Sequence, residues 1–344
     1  MRRPRDVRAG GGRESHARAR SRPLRGSVQG AAPFDVRIHM IFLFLKTLGG
    51  LALLTLGAEL LVQGAASLAR RIGLSPLVIG LTVVSIGTSL PELVVSLDAV
   101  LKDSAAIGVG NIVGSNISNI TLILGLAALV KPLQVKAQVV RVDGPILVVV
   151  SGGLALLVRD GQLGRLDGAV LLAGAIGYLA YTVWASQGSP EAVQDEFAGG
   201  LPVQHGLLLD AGFVVLGLGG LLGGADWLVD GAVQIAEALA VPQVVIGLTA
   251  VALGTSLPEL ATSVLAAYRG EGDLAVGNAV GSSVLNILGI LGLTAAVQPV
   301  LTGSLSDLGL WAMVGTAVLV LPLLRTGFVL GRREGALLGA LYLG

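Results

Sequence analysis

GLTVVSIGTSLPELVVS at residues 80–96 returns as GLTAVALGTSLPELATS at residues 247–263, with 12 of 17 positions identical at an offset of 167. The offset holds without a gap in both directions. GAELLVQGA at 57–65 matches GADWLVDGA at 224–232. GNIVGSNISN at 110–119 matches GNAVGSSVLN at 277–286, and LGRLDGA at 163–169 matches LGRREGA at 330–336. The chain is an internal duplication. Each copy carries one carboxylate, Glu92 or Glu259, inside a strongly apolar run.

Composition places the duplication in a lipid bilayer. The chain is 53% hydrophobic and 13% charged, with a mean hydropathy of +0.82, against about 25% charged for soluble domains. The 51 glycines suit helices that pack closely in lipid. With no cysteine, a disulfide framework and a thiolate metal site are both excluded. The three histidines, His16, His39 and His205, lie outside the repeated blocks.

From Met40 onward the apolar segments are each long enough, about 20 residues, to cross a bilayer. They fall at 41–69, 76–101, 105–130, 138–158 and 166–186, and again at 205–239, 243–268, 272–297, 304–324 and 334–344. Five spans per copy is an odd number, so the second copy inserts upside down relative to the first. The predicted fold is an all-α membrane protein of ten transmembrane helices in two inverted five-helix repeats, 40–186 and 205–344, an architecture of secondary transporters. The last span is short.

Loop charges set the expected orientation. Arg70, Arg71, Lys131, Lys136, Arg141, Arg269, Arg325, Arg332 and Arg333 fall on one side; Lys102, Arg159 and Arg165 fall on the other. By the positive-inside rule the first group is cytoplasmic, so residue 40 faces out and the short acidic loop 187–204 faces the cytoplasm. A prokaryotic inner membrane is the expected location. Residues 1–39 hold ten Arg and no apolar stretch. Such a segment buries too little to fold alone, and reads as a disordered tail or as sequence upstream of a start at Met40. An arm for nucleic acid or anionic lipid is the alternative; no nucleic-acid partner is adopted.

Charged groups inside spans are functional candidates by default. Ser85, Thr88, Glu92 and Ser96 share one helical stripe, with Ser89 beside it. Pro91 lacks an N–H, and its ring clashes with the carbonyl of Gly87. Carbonyls freed at this break become available as ligands. The second copy rebuilds the turn with Gly254, Thr255, Ser256, Pro258 and Glu259, with Ala252 in place of Ser85. The next span adds Asn111, Ser115 and Asn119 at i, i+4 and i+8, repeated as Asn278, Ser282 and Asn286, with Gly110, Gly114, Gly277 and Gly281 allowing close approach. An all-oxygen set of this kind suits hard cations such as Ca²⁺ and Na⁺.

Each residue also has a plain structural reading. Ser and Thr in membrane helices commonly bond their own backbone, Asn is often interhelical glue, and Pro alone marks a kink. The joint recurrence of all of them at one offset favours function for Glu92 and Glu259. Glu59 and Asp226 correspond too, but their spans lack further ligand-type residues, so structural pairing and a pathway role both stay open.

GTSLPEL followed by GNIVGSNISN, and the second GTSLPEL followed by GNAVGSSVLN, resemble the two alpha repeats of the sodium/calcium exchanger family, within the wider cation/Ca²⁺ antiporter superfamily. The likeness runs from about Met40 to the end. It implies a ten-helix antiporter whose cation sites are built by the second, third, seventh and eighth helices, while the first and sixth slide to alternate access. The ligands it implies are Thr88, Ser89, Glu92, Ser115 and Asn119, then Thr255, Ser256, Glu259 and Ser282, with the backbone carbonyls of Ser85 and Ala252. At the position of Asn286 some sodium/calcium exchangers carry Asp; Asn in both copies is found in relatives that exchange Ca²⁺ for H⁺. The expected function, resting on the resemblance of the GTSLPEL blocks, is antiport of Ca²⁺ against Na⁺. A Ca²⁺/H⁺ exchanger and, from another class, a Glu-lined cation channel are the alternatives. No HExxH, Ser–His or Asp-rich phosphate motif points to an enzyme. No resident cofactor and no obligate protein partner are expected; the partners are the transported ions and the bilayer.

Overall fold

The structure, a computed structural model, describes residues 33–101, 105–186, 206–239, 254–302 and 307–343. Ala252, the tail before Pro33, and the loop 187–204 lie outside the described residues. The chain divides into two units, Met1–Met40 and Ile41–Gly344, and the site belongs to the second.

The described residues form helices almost throughout: α1 (Pro33–Ile72), α2 (Pro76–Thr88), α3 (Leu90–Leu101), α4 (Ile107–Val130), α5 (Val139–Asp160), α6 (Arg165–Ser186), α7 (Leu207–Ala238), α8 (Leu257–Arg269), α9 (Gly272–Val297), α10 (Asp307–Arg325) and α11 (Arg332–Leu343). Among them seven are long and apolar enough to cross a membrane, and the bent pair α2–α3 makes an eighth. The expected span 243–268 is described only from Gly254. Residues 33–39, read as part of the tail, are helical and belong to α1.

α2 and α3 meet at 44°, with Ser89 between them in the sparsely populated bridge region at φ −83°, ψ 9°. Pro91, second in α3, cannot donate to the Gly87 carbonyl, so the helix breaks where the sequence placed the break. Ser256 adopts the same conformation, φ −88°, ψ 4°, at the start of α8. One local sequence thus makes one local fold twice.

α4 and α9 are the centre of the molecule, with 72% and 78% of their apolar stretches buried, against 22% for α1 and 28% for α7. Small residues let α2 lie on α9 backbone to backbone. A Cβ on Gly277 would stand 2.7 Å from the Leu77 carbonyl oxygen, and one on Gly281 2.7 Å from the Leu81 Cα. The mirrored neighbours of Gly110 and Gly114 lie outside the described residues. α1 and α7 also meet through glycines: a Cβ on Gly50 would lie 2.9 Å from the Gly224 carbonyl oxygen, and one on Gly57 2.8 Å from that of Gly217. Gly50 and Gly217 correspond at the 167 offset, as do Gly57 and Gly224, so these equivalent helices run antiparallel where they touch. Two ion pairs tie them: Lys46 to Asp230, and Arg71 to Asp210 at 3.2 Å.

Among the described residues there are four two-residue strands: β1 (Leu133–Gln134), β2 (Gln162–Leu163), β3 (Val300–Leu301) and β4 (Val329–Leu330). β1 pairs antiparallel with β4, aligning Leu133 with Leu330, and β2 with β3, aligning Leu163 with Val300. At the offset of 167 these two pairs exchange identities, and each links one copy to the other.

Candidate functional site

The breaks at Ser89 and Ser256 leave Glu92 and Glu259 in the first turns of α3 and α8. Glu92 is 1% exposed and Glu259 fully buried. Each is served by the hydroxyl of the other copy's turn. Ser89 donates to Glu259 Oε1 at 3.0 Å, and Ser256 donates to Glu92 Oε1 at 3.5 Å. Ser115 on α4 also donates to Glu92 Oε1, at 3.3 Å, and lies 3.3 Å from the Ser256 hydroxyl. The threonines are crossed likewise: Thr88 donates to Asn278 Oδ1 at 3.1 Å, and Thr255 to Asn111 Oδ1 at 3.3 Å.

These contacts separate site hydroxyls from ordinary ones. Thr47, Thr55, Thr82, Thr121, Thr182 and Thr294 all donate to the carbonyl four residues back in their own helix, the usual fate of a hydroxyl in an apolar helix. Thr88, Ser89, Thr255 and Ser256 instead reach into the other copy.

Asn111 and Asn278, first members of the two Asn–Ser–Asn stripes, are supports. Asn111 Nδ2 donates to Ser96 at 3.3 Å and Asn278 Nδ2 to Ser263 at 3.0 Å, while each Oδ1 holds a threonine hydroxyl. Ser85 donates to the Gly80 carbonyl at 2.6 Å, and its own carbonyl accepts from the Ser89 N–H at 3.1 Å. Ala252, the matching expected carbonyl ligand, lies outside the described residues.

Among the described residues, the remaining expected ligands carry buried polar atoms with no hydrogen-bond partner: Glu92 Oε2, Glu259 Oε2, Ser282 Oγ, Asn286 Oδ1, and both Oδ1 and Nδ2 of Asn119. A buried polar atom without a partner costs about 1–3 kcal/mol, more when charged. Other such atoms lie elsewhere, among them Asp143 Oδ2 and Asp210 Oδ1, but these six fall on the residues matched between the two copies, where a cation would compensate oxygens the protein leaves open. Carboxylate, amide and hydroxyl oxygens suit Ca²⁺ and Na⁺ in kind. Among the described residues no cluster of three or more His, Cys, Asp or Glu occurs. The neutral oxygens therefore complete the set around the two carboxylates. Asn119 and Asn286 also each open a π-helical turn, Asn119–Ile123 and Asn286–Leu291, a local feature frequent at functional sites.

A cavity of about 370 Å³ runs along α7 to this region, lined by Asp226, Asp230, Pro91, Val95, Gly254 and Thr255. A larger one of about 800 Å³, bounded by Leu51, Leu129, Leu260 and Tyr268, holds none of the candidate ligands and is lined almost wholly by apolar side chains. Glu59, whose role the sequence left open, is paired with Arg269 and accepts from Gln63. Asp226 lines the smaller cavity. Lys102, which corresponds to Arg269, lies outside the described residues.

Sequence reasoning missed Asn116, which is 2% exposed and bonded to Asn286 Nδ2 at 3.1 Å. It does not stand out among the matched polar positions, because Ser283 stands at the corresponding place. The difference between copies was itself the signal.

Comparison with known proteins fits this arrangement. The family described as sodium/calcium exchanger protein matches residues 42–184 and 209–344. Inner membrane protein YrbG of Escherichia coli is 42% identical over 260 residues, covering 73% of this chain and 78% of that protein. The sodium/calcium exchanger MaX1 of Methanosarcina acetivorans is 32% identical over 339 residues, covering 87% and 96%. Among solved structures, the sodium-calcium exchanger NCX_Mj soaked with zero Na⁺ and Ca²⁺ superposes with a TM-score of 0.76 at 34% identity, covering 88% of this chain and 97% of that one. With apolar helices, a doubled broken turn and a family match across most of its length, this multi-pass membrane protein belongs to the sodium/calcium exchanger family.

Proposed function

We propose that the protein exchanges Ca²⁺ for Na⁺ across the membrane by alternating access, using ten transmembrane helices in two inverted five-helix repeats. The observation that carries this is the group of buried, unpartnered oxygens on Glu92, Glu259, Ser282, Asn286 and Asn119. Thr88, Ser89, Ser115, Thr255 and Ser256 surround them, with the carbonyls of Ser85 and Ala252 as further ligands. With both glutamates ionised, the site carries about two negative charges. One Ca²⁺ balances them; three Na⁺ exceed them by about one. A three-for-one exchange therefore moves net charge, and membrane potential changes its rate.

Antiparallel contact of equivalent helices supports the inverted repeat, because an odd number of spans per copy requires it. Lys131 lies beside Gly270, next to Arg269, and Arg332 donates to the Leu129 carbonyl. Three of the cations assigned to the cytoplasmic side thus gather at one end, which supports residue 40 outside and the loop 187–204 in the cytoplasm. The acidic cavity at Asp226 and Asp230 then forms part of the outer entrance. The membrane is the prokaryotic inner membrane.

The test is uptake of ⁴⁵Ca²⁺ by proteoliposomes under separate Na⁺ and pH gradients. Accumulation driven by Na⁺ and sensitive to membrane potential is expected. Accumulation on a pH gradient alone would reassign the counter-ion to H⁺, which neutral Asn119 and Asn286 make the second reading. Passive flux independent of either gradient would make the protein a channel.

A further inference from the structure

Asn116 is one of the few polar residues at the centre that the duplication does not repeat. Its counterpart at the 167 offset is Ser283. Asn116 Nδ2 lies 3.0 Å from the Ser283 backbone carbonyl. A carbonyl only accepts, so the amide nitrogen must face it, and the orientation of the Asn116 amide follows from the backbone. Its Oδ1 is then turned to Asn286, 3.1 Å from Nδ2. An amide oxygen also only accepts, so the Asn286 nitrogen is the atom held there, and its Oδ1 is turned away. That Oδ1 is buried and has no hydrogen-bond partner. It sits on the face of α9 shared with Ser282 and Asn278, which touches Thr88 and the Glu259 carbonyl. One backbone carbonyl thus sets the direction of two amides in series.

The other half lacks this relay. Ser283 spends its hydroxyl on the Ala279 carbonyl of its own helix, at 2.9 Å. Asn119, the counterpart of Asn286, has neither amide atom bonded among the described residues. The two asparagines are equal in sequence and unequal in constraint.

We propose that Asn116 is a positioning residue. It fixes the Asn286 amide with its oxygen toward the cation and its N–H₂ away, while Asn119 remains free to reorient. The subsite at Asn286 is preorganised for a cation and the one at Asn119 is not. This rests on the cation-exchange reading above. Preorganisation raises affinity by removing an ordering cost from the binding step, and outer partners of metal ligands typically contribute about 10–100-fold in affinity or activity.

The decisive experiment is a double-mutant comparison on the full chain, read by ⁴⁵Ca²⁺ uptake and by equilibrium ⁴⁵Ca²⁺ binding to purified protein. Asn116→Ser should raise the KM and Kd for Ca²⁺ about 10-fold, with maximal rate within about twofold. Asn286→Asp presents acceptor oxygens in either orientation, so its background needs no orienting partner, and the Asn116 Oδ1 there opposes a carboxylate oxygen. In that background Asn116→Ser should leave Ca²⁺ KM unchanged or lower it. An equal loss in both backgrounds would show that Asn116 only supports the fold and would overturn the proposal, as would no loss in the natural background. If Asn116→Ser does not fold, Asn116→Ala carries the same comparison, since it removes the same acceptor. Absence of Ca²⁺ binding and uptake in the unaltered chain would instead overturn the cation-exchange reading, and the positioning role with it.

Discussion

Replacing Glu92 with Gln keeps the shape of the side chain and removes its charge. The geometry says what is lost. Oε1 can still accept from Ser115 at 3.3 Å and Ser256 at 3.5 Å. The unpartnered Oε2 becomes an N–H₂ that presents hydrogens where an oxygen stood. One of two carboxylates facing a divalent ion disappears, and removing one partner of a buried charge pair costs about 3–5 kcal/mol. At 1.4 kcal/mol per tenfold, that weakens Ca²⁺ by about 10²-fold to above 10³-fold. Without Ca²⁺ the variant should be at least as stable as the natural chain, because a buried charge lacking a partner has gone. Ca²⁺ at 100 times its Kd stabilises the natural chain by about 2.7 kcal/mol, and the same concentration should give the variant about 0.4 kcal/mol or less. Thermal unfolding in detergent with and without Ca²⁺, beside ⁴⁵Ca²⁺ uptake in proteoliposomes, measures both quantities. A folded Glu92→Gln protein that keeps its Ca²⁺-dependent stabilisation and transports within about threefold of the natural chain would refute the site.

Thr88→Val should raise the Ca²⁺ KM about tenfold, since it removes a hydroxyl and leaves the buried Asn278 oxygen unpaired at about 1–3 kcal/mol, and Thr255→Val should raise it less, because its partner Asn111 is only half-buried; Thr182→Val and Thr294→Val, whose hydroxyls bond only their own helices, should transport within about twofold of the natural chain. Gly281→Ala should lower the melting temperature and the yield of inserted protein, because its Cβ would stand 2.5 Å from Ser85 Oγ and 2.7 Å from the Leu81 Cα, an overpacking worth about 1–3 kcal/mol. Glu59→Gln and Arg269→Gln, measured as a double-mutant cycle in chemical denaturation, should show a coupling of under about 1 kcal/mol that shrinks with salt, as the two side chains are 22% and 38% exposed.

Much of this was legible in the chain because duplication makes a sequence its own control. Glu92 and Glu259 stood out as matched charges in apolar runs, and Pro91 and Pro258 located the breaks that the bridge conformations at Ser89 and Ser256 confirm. What stayed hidden was direction. Helical periodicity puts Asn111, Ser115 and Asn119 on one face, yet does not tell a support from a ligand. Asn111 became a support because Ser96 and Thr255 happen to reach its two amide atoms. The crossing of Ser89 to Glu259 and Ser256 to Glu92 was likewise unreadable, since it depends on how α3 and α8 pack. The helicity of residues 33–39 was not legible, because they lack the apolar run that marks the spans.

The strand pairs constrain how such a molecule can move. β1 and β2 lie at opposite ends of α5, a 22-residue helix, and each pairs with a strand of the other copy. The two halves are stapled together at both faces of the membrane. A transport cycle that rocked one half against the other would have to tear a staple at each stroke and remake it at the next. α1 and α7 carry none of these strands. They meet each other along glycine backbones and are tied by the Lys46–Asp230 and Arg71–Asp210 ion pairs. On the exchange function proposed above, the strand-linked helices would form the fixed frame and α1 with α7 the small part that moves, so the frame would not need to change shape during the cycle.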